Sequence, residues 1–553
     1  MLPESFSPLL LSCVWVIVQL LFVALVSLSL YGAYHTTVFF YNQATSAVRH
    51  IPGPASQSWL YGNYKEVWTS ESSILYAQWA KEYGPTFQYT GLFGASRLYT
   101  MDHKALNHVL ASTHIYQKPE SGIYNIKRIL GAGVLLVEDE THRRQRKALN
   151  PAFGPQQIRE LTEIFVDKAL HLRDIWIEEV KKHEQGVAGL DALAWLSRAT
   201  LDIIGWAGFN YNFNALEKGA EEDELSGAFA AMFSGAQRFS IIPILRGLVP
   251  PLRFLPAPSD AEASIASKTM FRIGAQLLND SKQTAAKNEK DKKSWEGRDI
   301  LSLLVRANMM PGIADSQRLS DEEVLAQIPT FMVAGHETTS VAVTWALFAL
   351  TQNNGAQSKL RTELETVSTD NPTMDELNAL PYLDSVVRET LRVHAPVPAS
   401  MRTAMQDDII PLQTPYTDKL GNTQSHIHLK KGQTIIIPIG SINKDETIWG
   451  QDAAEFNPER WQHVPEGSHS IPGVWGNMMT FLGGPKACIG YRFSVTEMKA
   501  LIFTLVRAFE FELAVPASSI TKKTALVQRP VLKDSSDGVG KNELPLLVRL
   551  ASM

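Results

Sequence analysis

Between Glu4 and Arg49 the chain carries no Asp, Glu, Lys or Arg, and within residues 9–34 the only strongly polar side chain is Gln19. A run this apolar is held as a helix across a lipid bilayer, where backbone groups must bond one another. At about 1.5 Å per residue, roughly 20 residues cross the hydrocarbon core, so the run is long enough. A cleaved leader is the rival reading. The run exceeds a leader's usual apolar stretch, and acidic Glu4 stands where a leader carries Lys or Arg. Residues 1–45 are therefore read as an uncleaved anchor spanning about residues 9–34, and residues 46–553 as one domain. Positive charge first follows the span at Arg49 and Lys65, which puts the bulk of the chain on the cytosolic side.

The 553 residues are 45% hydrophobic, enough for a large buried core, and no internal boundary or repeat divides them. A net charge of −5 argues against nucleic acid as a partner. Two cysteines, Cys13 and Cys488, cannot form a disulfide scaffold and fit a reducing compartment. Ile51-Pro52-Gly53-Pro54 reads as a stiff hinge after the anchor, because two prolines fix φ and cannot extend a helix. Beyond it the pattern is mostly helical, with short strands in residues 86–99 and 427–438. The lysine-rich residues 282–293 read as a solvated loop between helices. Ser320 followed by Glu323 is a capping box opening a long helix from Asp321 to about Gln352.

Chemistry concentrates in Phe481-Leu482-Gly483-Gly484-Pro485-Lys486-Ala487-Cys488-Ile489-Gly490. It is a glycine-rich loop, open to a flat ligand, that precedes an apolar-periodic segment at residues 491–511 read as a helix. At that helix start the amides of Ile489 and Gly490 can point at the Cys488 sulfur, and the dipole favours its anion. A thiolate so held suits a haem iron as axial ligand.

These residues resemble the haem-binding signature of the cytochrome P-450 family, Phe-x-x-Gly-x-Arg-x-Cys-x-Gly, with Lys486 where Arg or His is usual. The resemblance runs from Pro52 to the C-terminus and rests on three further motifs in the family's order. Ala334-Gly335-His336-Glu337-Thr338-Thr339 matches the oxygen-handling Ala-Gly-x-Asp/Glu-Thr-Thr. Glu389-Thr390-Leu391-Arg392, whose charges share a helix face, pairs with Pro458-Glu459-Arg460-Trp461. His142 and Arg146 stand where the family commonly has Trp-x-x-x-Arg.

The resemblance implies a mainly α fold with small β-sheets behind a single transmembrane helix, and heme b (iron protoporphyrin IX) bound through Cys488. Phe481 belongs to the cofactor loop. Lys486, Arg146, His142 and Arg402 are the implied propionate contacts, Lys486 weakly because an ammonium lacks the guanidinium fork. Gly335 makes room for dioxygen, Thr338 bonds it or a helix carbonyl, and Glu337 relays protons; these are the implied catalytic residues. His336 needs no role. Glu389, Arg392 and Arg460 form a buried triad pinning the loop before Cys488.

Residues 241–256 are the implied cap of the substrate entrance, in contact with lipid or core. Residues 120–134, Phe331, Met332, Ala334, Val397 to Ala399 and 524–527 are the implied pocket lining. Only 65 residues follow Cys488 and no Gly-x-Gly-x-x-Gly appears, so electrons are expected from a separate NADPH-cytochrome P-450 reductase, with cytochrome b5 as a further donor. A single-pass location in the endoplasmic reticulum, facing the cytosol, follows. Pro151-Ala152-Phe153-Gly154 and the hinge look most like the fungal membrane-bound branch. The activity implied is insertion of one oxygen atom into a lipophilic substrate, in terpenoid-like secondary metabolism. Xenobiotic or fatty-acid hydroxylation is the alternative. A haem-thiolate isomerase or dehydratase, or a non-catalytic haem sensor, is the reading from another class; the Glu337-Thr338 pair counts against the isomerase.

Overall fold

The computed structural model describes residues 8–70, 72–217, 240–290, 298–309, 317–524, 526–533 and 540–551. The uncharged N-terminal run forms α1, Pro8–Ala44, a helix of 37 residues. Its most apolar window, within Ser12–Ala44, has none of its residues buried against protein. In length and composition it suffices to cross a bilayer, and it continues past residue 34, the expected end of the span.

The main elements beyond it follow in chain order. They are β1 (Thr86–Thr90), β2 (Ser96–Thr100), α2 (His103–Ala111), β3 (Tyr116–Gln117), α3 (Glu120–Leu130), α4 (Asp139–Leu149), α5 (Pro155–Lys181), β4 (Val187–Asp191) and α6 (Ala192–Phe209). Next come α7 (Ile241–Leu248), α8 (Asp260–Lys290), α9 (Asp321–Thr351), α10 (Pro381–Val393), β5 (Ser400–Ala404), β6 (Asp408–Thr417), β7 (Thr423–Leu429) and β8 (Thr434–Ile437). The chain closes with α11 (Tyr491–Ala508), β9 (Phe509–Leu513), β10 (Ile520–Thr524), β11 (Gln528–Leu532), β12 (Lys541–Asn542) and β13 (Pro545–Leu550).

Residues 51–54, expected to be a hinge, are instead fastened to the body. Gln43 Oε1 accepts the Ser96 N–H at 2.9 Å and Lys430 Nζ donates to Thr45 Oγ1 at 2.7 Å. Val48 and Ile51 are fully buried. The Gln88 N–H donates to Pro52 O at 2.9 Å, and a Cβ on Gly53 would sit 1.8 Å from Gln88 O, so only glycine permits this approach.

The strands make small sheets. Five run in the order β1-β2-β8-β5-β3, with β2 and β8 parallel and the other pairs antiparallel. Another, β4-β13-β9, ties the C-terminus back to the start of α6 through Leu190, Leu546 and Leu513. The helical core surrounds α9, which is buried on nearly every side and opens with both hydrogen bonds of the Ser320–Glu323 capping box. Against it lie α6 and α11; Phe493 of α11 packs edge-on to Phe165 of α5 at 4.7 Å between ring centres.

One expectation changes. Residues 282–290 belong to α8, not to a loop, because Ala285, Ala286, Lys287 and Glu289 are good helix formers; residues 291–293 lie outside the described residues. Within 241–256, the first eight residues form α7, Pro250–Leu252 is a single 3₁₀ turn, and Phe254 is 78% exposed.

Candidate active site

The loop before α11 is shaped by close backbone approaches. A Cβ on Gly483 would lie 1.6 Å from Pro472 O, and Gly484 has φ +69° with its Cβ position 2.6 Å from Leu110 O. The Cys488 N–H donates to Phe481 O at 2.9 Å, closing the loop, while the Phe481 ring packs against Trp475 and Tyr491 at 5.7 and 6.0 Å. Gly490 caps α11 and its amide bonds the Cys488 sulfur. Burial pushes the thiol up, while that amide and the Arg146 guanidinium pull it down. Burial prevails, so the helix start alone does not make the thiolate; a cation facing the sulfur would. The sulfur's setting is deep in protein, yet Cys488 keeps an accessible face.

On α9 a matching face stays open. Ala334, Gly335 and Thr338 retain accessible surface while Val333, His336, Glu337 and Thr339 are buried. Two contacts hold this turn against the loop: Thr339 Oγ1 lies 3.1 Å from Ser494 Oγ, and Phe331 packs on Phe153, itself 3.7 Å from the Cβ position of Gly490. Thr338 Oγ1 donates to Ala334 O at 2.8 Å, the inward of its two expected bonds. Gly335 differs from expectation. A Cβ there would meet the Ile204 side chain at 2.9 Å, so this glycine lets α6 approach α9. Glu337 is also unlike a free acid: its buried carboxylate accepts both Nε and Nη2 of Arg529 on β11. His336 is a core residue donating from Nδ1 to Met332 O at 2.7 Å. Met332 is fully buried, and of the expected lining residue 525 lies outside the described residues.

A basic rim borders the loop. Arg146 Nη1 donates to Ala487 O at 2.6 Å and Nε to Asn150 Oδ1 at 3.1 Å. His142 is buried and held near 4 by burial and by the Lys118 and Arg146 charges, hence neutral at pH 7. Arg402, 3% exposed, donates from Nη1 to Ser400 Oγ and Met401 O, and burial lowers it to about 10. Among the described residues no carboxylate lies within ion-pair distance of it. Lys486 and Lys118 are both pushed to about 7 by burial, with further repulsion from Lys118 and Arg402 respectively. Glu138 opposes that push: Oε1 lies 3.5 Å from Lys118 Nζ and Oε2 touches Lys486 Nζ. Those contacts favour both ammonium forms.

Among the described residues two lysines thus share one carboxylate while Arg146 and Arg402 pair with none, and Lys486 Nζ and Glu138 Oε2 are buried without a hydrogen bond of good geometry. Spare donors and unbalanced positive charge fit a flat group carrying two carboxylates. Lys118 had no sequence signal, since it belongs to none of the motifs.

The charged node behind the loop is larger than a triad. Glu389 and Arg392, both fully buried, pair at 2.8 Å (Nε) and 2.7 Å (Nη2). Glu389 also accepts from the Asn457 N–H and Trp461 Nε1 at 2.9 and 3.0 Å. Arg460 reaches it only at 3.5 Å and pairs chiefly with Asp452, at 2.6 Å. Arg392 donates to the carbonyls of Asn443, Ala453 and Glu455. Asn443 in turn bonds Thr480 Oγ1 and the Met479 N–H at 2.7 Å each, so the node reaches the residue before Phe481.

The chain is similar to known proteins along most of its length. The family model Cytochrome P450 matches residues 52–533. Cytochrome P450 monooxygenase 205 of Postia placenta is 52% identical over 510 residues, covering 92% of this chain and 93% of the relative. Cytochrome P450 monooxygenase 128 of the same fungus is 50% identical over 91% of this chain and 93% of its own length. Cytochrome P450 monooxygenase claQ of Ampulloclitocybe clavipes is 35% identical, over 90% of this chain and 92% of its own length. The chain belongs to the cytochrome P450 family, as a haem-thiolate monooxygenase, and these three relatives are fungal.

Proposed function

We propose that this enzyme inserts one atom of dioxygen into a lipophilic substrate of fungal secondary metabolism, a terpenoid-like scaffold, with heme b bound between Cys488 and the open face of α9. The observation that carries this reading is the convergence of three features on one place: the cysteine loop, the basic rim, and the Ala334–Thr338 opening in an otherwise buried helix. When bound, haem with a thiolate ligand would supply the electron push that oxygen chemistry needs.

The chain's own residues supply the rest. Cys488 would ligate the iron through its sulfur, with Phe481 holding its loop. Lys486, Lys118, Arg146 and Arg402 take up the cofactor's carboxylates, and neutral His142 donates one hydrogen bond. Thr338 can turn its hydroxyl from Ala334 O toward dioxygen, and Glu337 passes a proton once Arg529 releases it. Glu389, Arg392 and Arg460 hold the loop through Asn443.

Residues 1–45 act as a single-pass anchor in the endoplasmic reticulum, with the catalytic domain, 46–553, facing the cytosol. Electrons come from an NADPH-cytochrome P-450 reductase, assisted by cytochrome b5. The relatives bear monooxygenase names, and the acid–hydroxyl pair on α9 supports oxygen chemistry over isomerisation. Microsomes carrying this chain and a reductase, given NADPH and a metabolite extract of the host, should yield products heavier by one oxygen atom. Turnover without NADPH would overturn the reading.

A further inference from the structure

Glu138 is an acid where the proposed reading calls for anions of a ligand to sit. Its position is nevertheless built. Oε1 accepts the Lys118 backbone N–H at 3.0 Å and lies 3.5 Å from the same residue's Nζ, while Oε2 touches Lys486 Nζ. The side chain is only 14% exposed. Next to it, Asp139 adopts φ +50° and accepts from Gln117 Nε2 at 2.7 Å. Two adjacent acids therefore stitch two adjacent residues after α2 to the start of α4, the helix that carries His142 and Arg146.

What this stitching does follows from Lys486. A guanidinium has five donors in a rigid plane and can face a carboxylate with one edge while the rest of it is held by protein. An ammonium is a point charge on a flexible stem, and ordering it for a ligand costs more side-chain entropy per bond formed. Lys486 stands at the position where the family's signature has arginine. Its nitrogen is buried against Glu138, and of an ammonium's three donors two remain beyond that contact.

We propose that Glu138 is a positioning residue that fixes the Lys118 and Lys486 ammonium groups side by side to receive one carboxylate of the cofactor. Acid and two lysines together replace a single arginine. This rests on the reading of the rim as a haem site, and it makes a prediction that the site alone does not: Glu138 and Lys486 must be coupled. Once residue 486 is arginine, Glu138 becomes dispensable.

The test uses full-length holoenzyme in detergent and follows first-order haem transfer to excess apomyoglobin, with circular dichroism reporting the fold. Glu138→Gln should speed haem loss about tenfold, the size of one charge-assisted hydrogen bond. Lys486→Arg should not speed it, and adding Glu138→Gln to Lys486→Arg should change the rate less than about twofold. Parental-rate loss from Glu138→Gln, or the same acceleration in both backgrounds, overturns the proposal. Where Glu138→Gln fails to fold, Glu138→Asp in the two backgrounds gives the same comparison, because the shorter acid cannot reach both lysines. A parental protein that binds no haem would instead defeat the functional reading itself.

Discussion

Replacing Glu389 with glutamine keeps the shape of the buried node and removes its charge. The carboxylate accepts two bonds from Arg392, one from the Asn457 amide and one from the Trp461 indole, all between 2.7 and 3.0 Å. Glutamine has one acceptor oxygen, and its amide nitrogen would face donors. Arg392 would then sit fully buried as a cation without a carboxylate partner, facing three backbone carbonyls and at most one amide oxygen. Breaking one side of a buried pair costs about 3–5 kcal/mol. In a protein of this size that is a fall of about 3–5 °C in the unfolding temperature.

The effect reaches the cofactor loop through Asn443 and Thr480, so haem content per chain should fall together with stability. Arg460→Met should be milder, about 1–2 kcal/mol, because Glu389 keeps Arg392, Trp461 and Asn457, and Asp452 is already 41% exposed and can take up water. Haem absorbance per protein and a thermal melt read both effects. A Glu389→Gln protein with full haem and an unchanged melt refutes this reasoning, as does Arg460→Met proving the worse of the two.

Three further outcomes follow from the geometry. Arg529→Gln strands the buried Glu337 carboxylate and should destabilise the enzyme by about 3–5 kcal/mol, and Glu337→Gln added to it should restore most of that loss in a denaturant titration. Asp260 is held well below the usual carboxylate range, first by its hydrogen bonds to Arg246. Its folded value lies below its unfolded one, so its contribution is complete above about pH 5 and is lost as pH falls through the folded value; the stability gap between parent and Asp260→Asn should be constant from pH 7 to 5 and narrow below about pH 4. Gly483→Ala places a Cβ 1.6 Å from Pro472 O and should abolish haem incorporation, visible as a missing Soret band in purified protein.

Features written within one element were legible in the sequence. The apolar N-terminal helix, the capping box of α9, the Glu389–Arg392 pair and the loop into α11 each declare themselves within a few residues. Features made by two distant segments were not. Arg529 reaches Glu337 across 192 positions, and Lys118 and Glu138 meet Lys486 across the whole domain. Nothing in their local sequence distinguishes them from solvated charges. Gly335 shows the same limit: its motif suggested room for oxygen, whereas its neighbour is Ile204 on another helix. The prolines of residues 51–54 signalled stiffness correctly but could not show that Gln88 holds them to β1. Lysine-rich 282–290 was misread because charge suggests solvent exposure, and a solvated helix is as polar as a loop.

The proposed bond between Cys488 sulfur and iron is tested most directly by the absorption spectrum of ferrous protein under carbon monoxide. The strongly red-shifted band of an anionic sulfur ligand is predicted for the parent, and its loss for Cys488→Ser at comparable fold. A parent spectrum without that band, or an unchanged one in Cys488→Ser, would contradict the assignment.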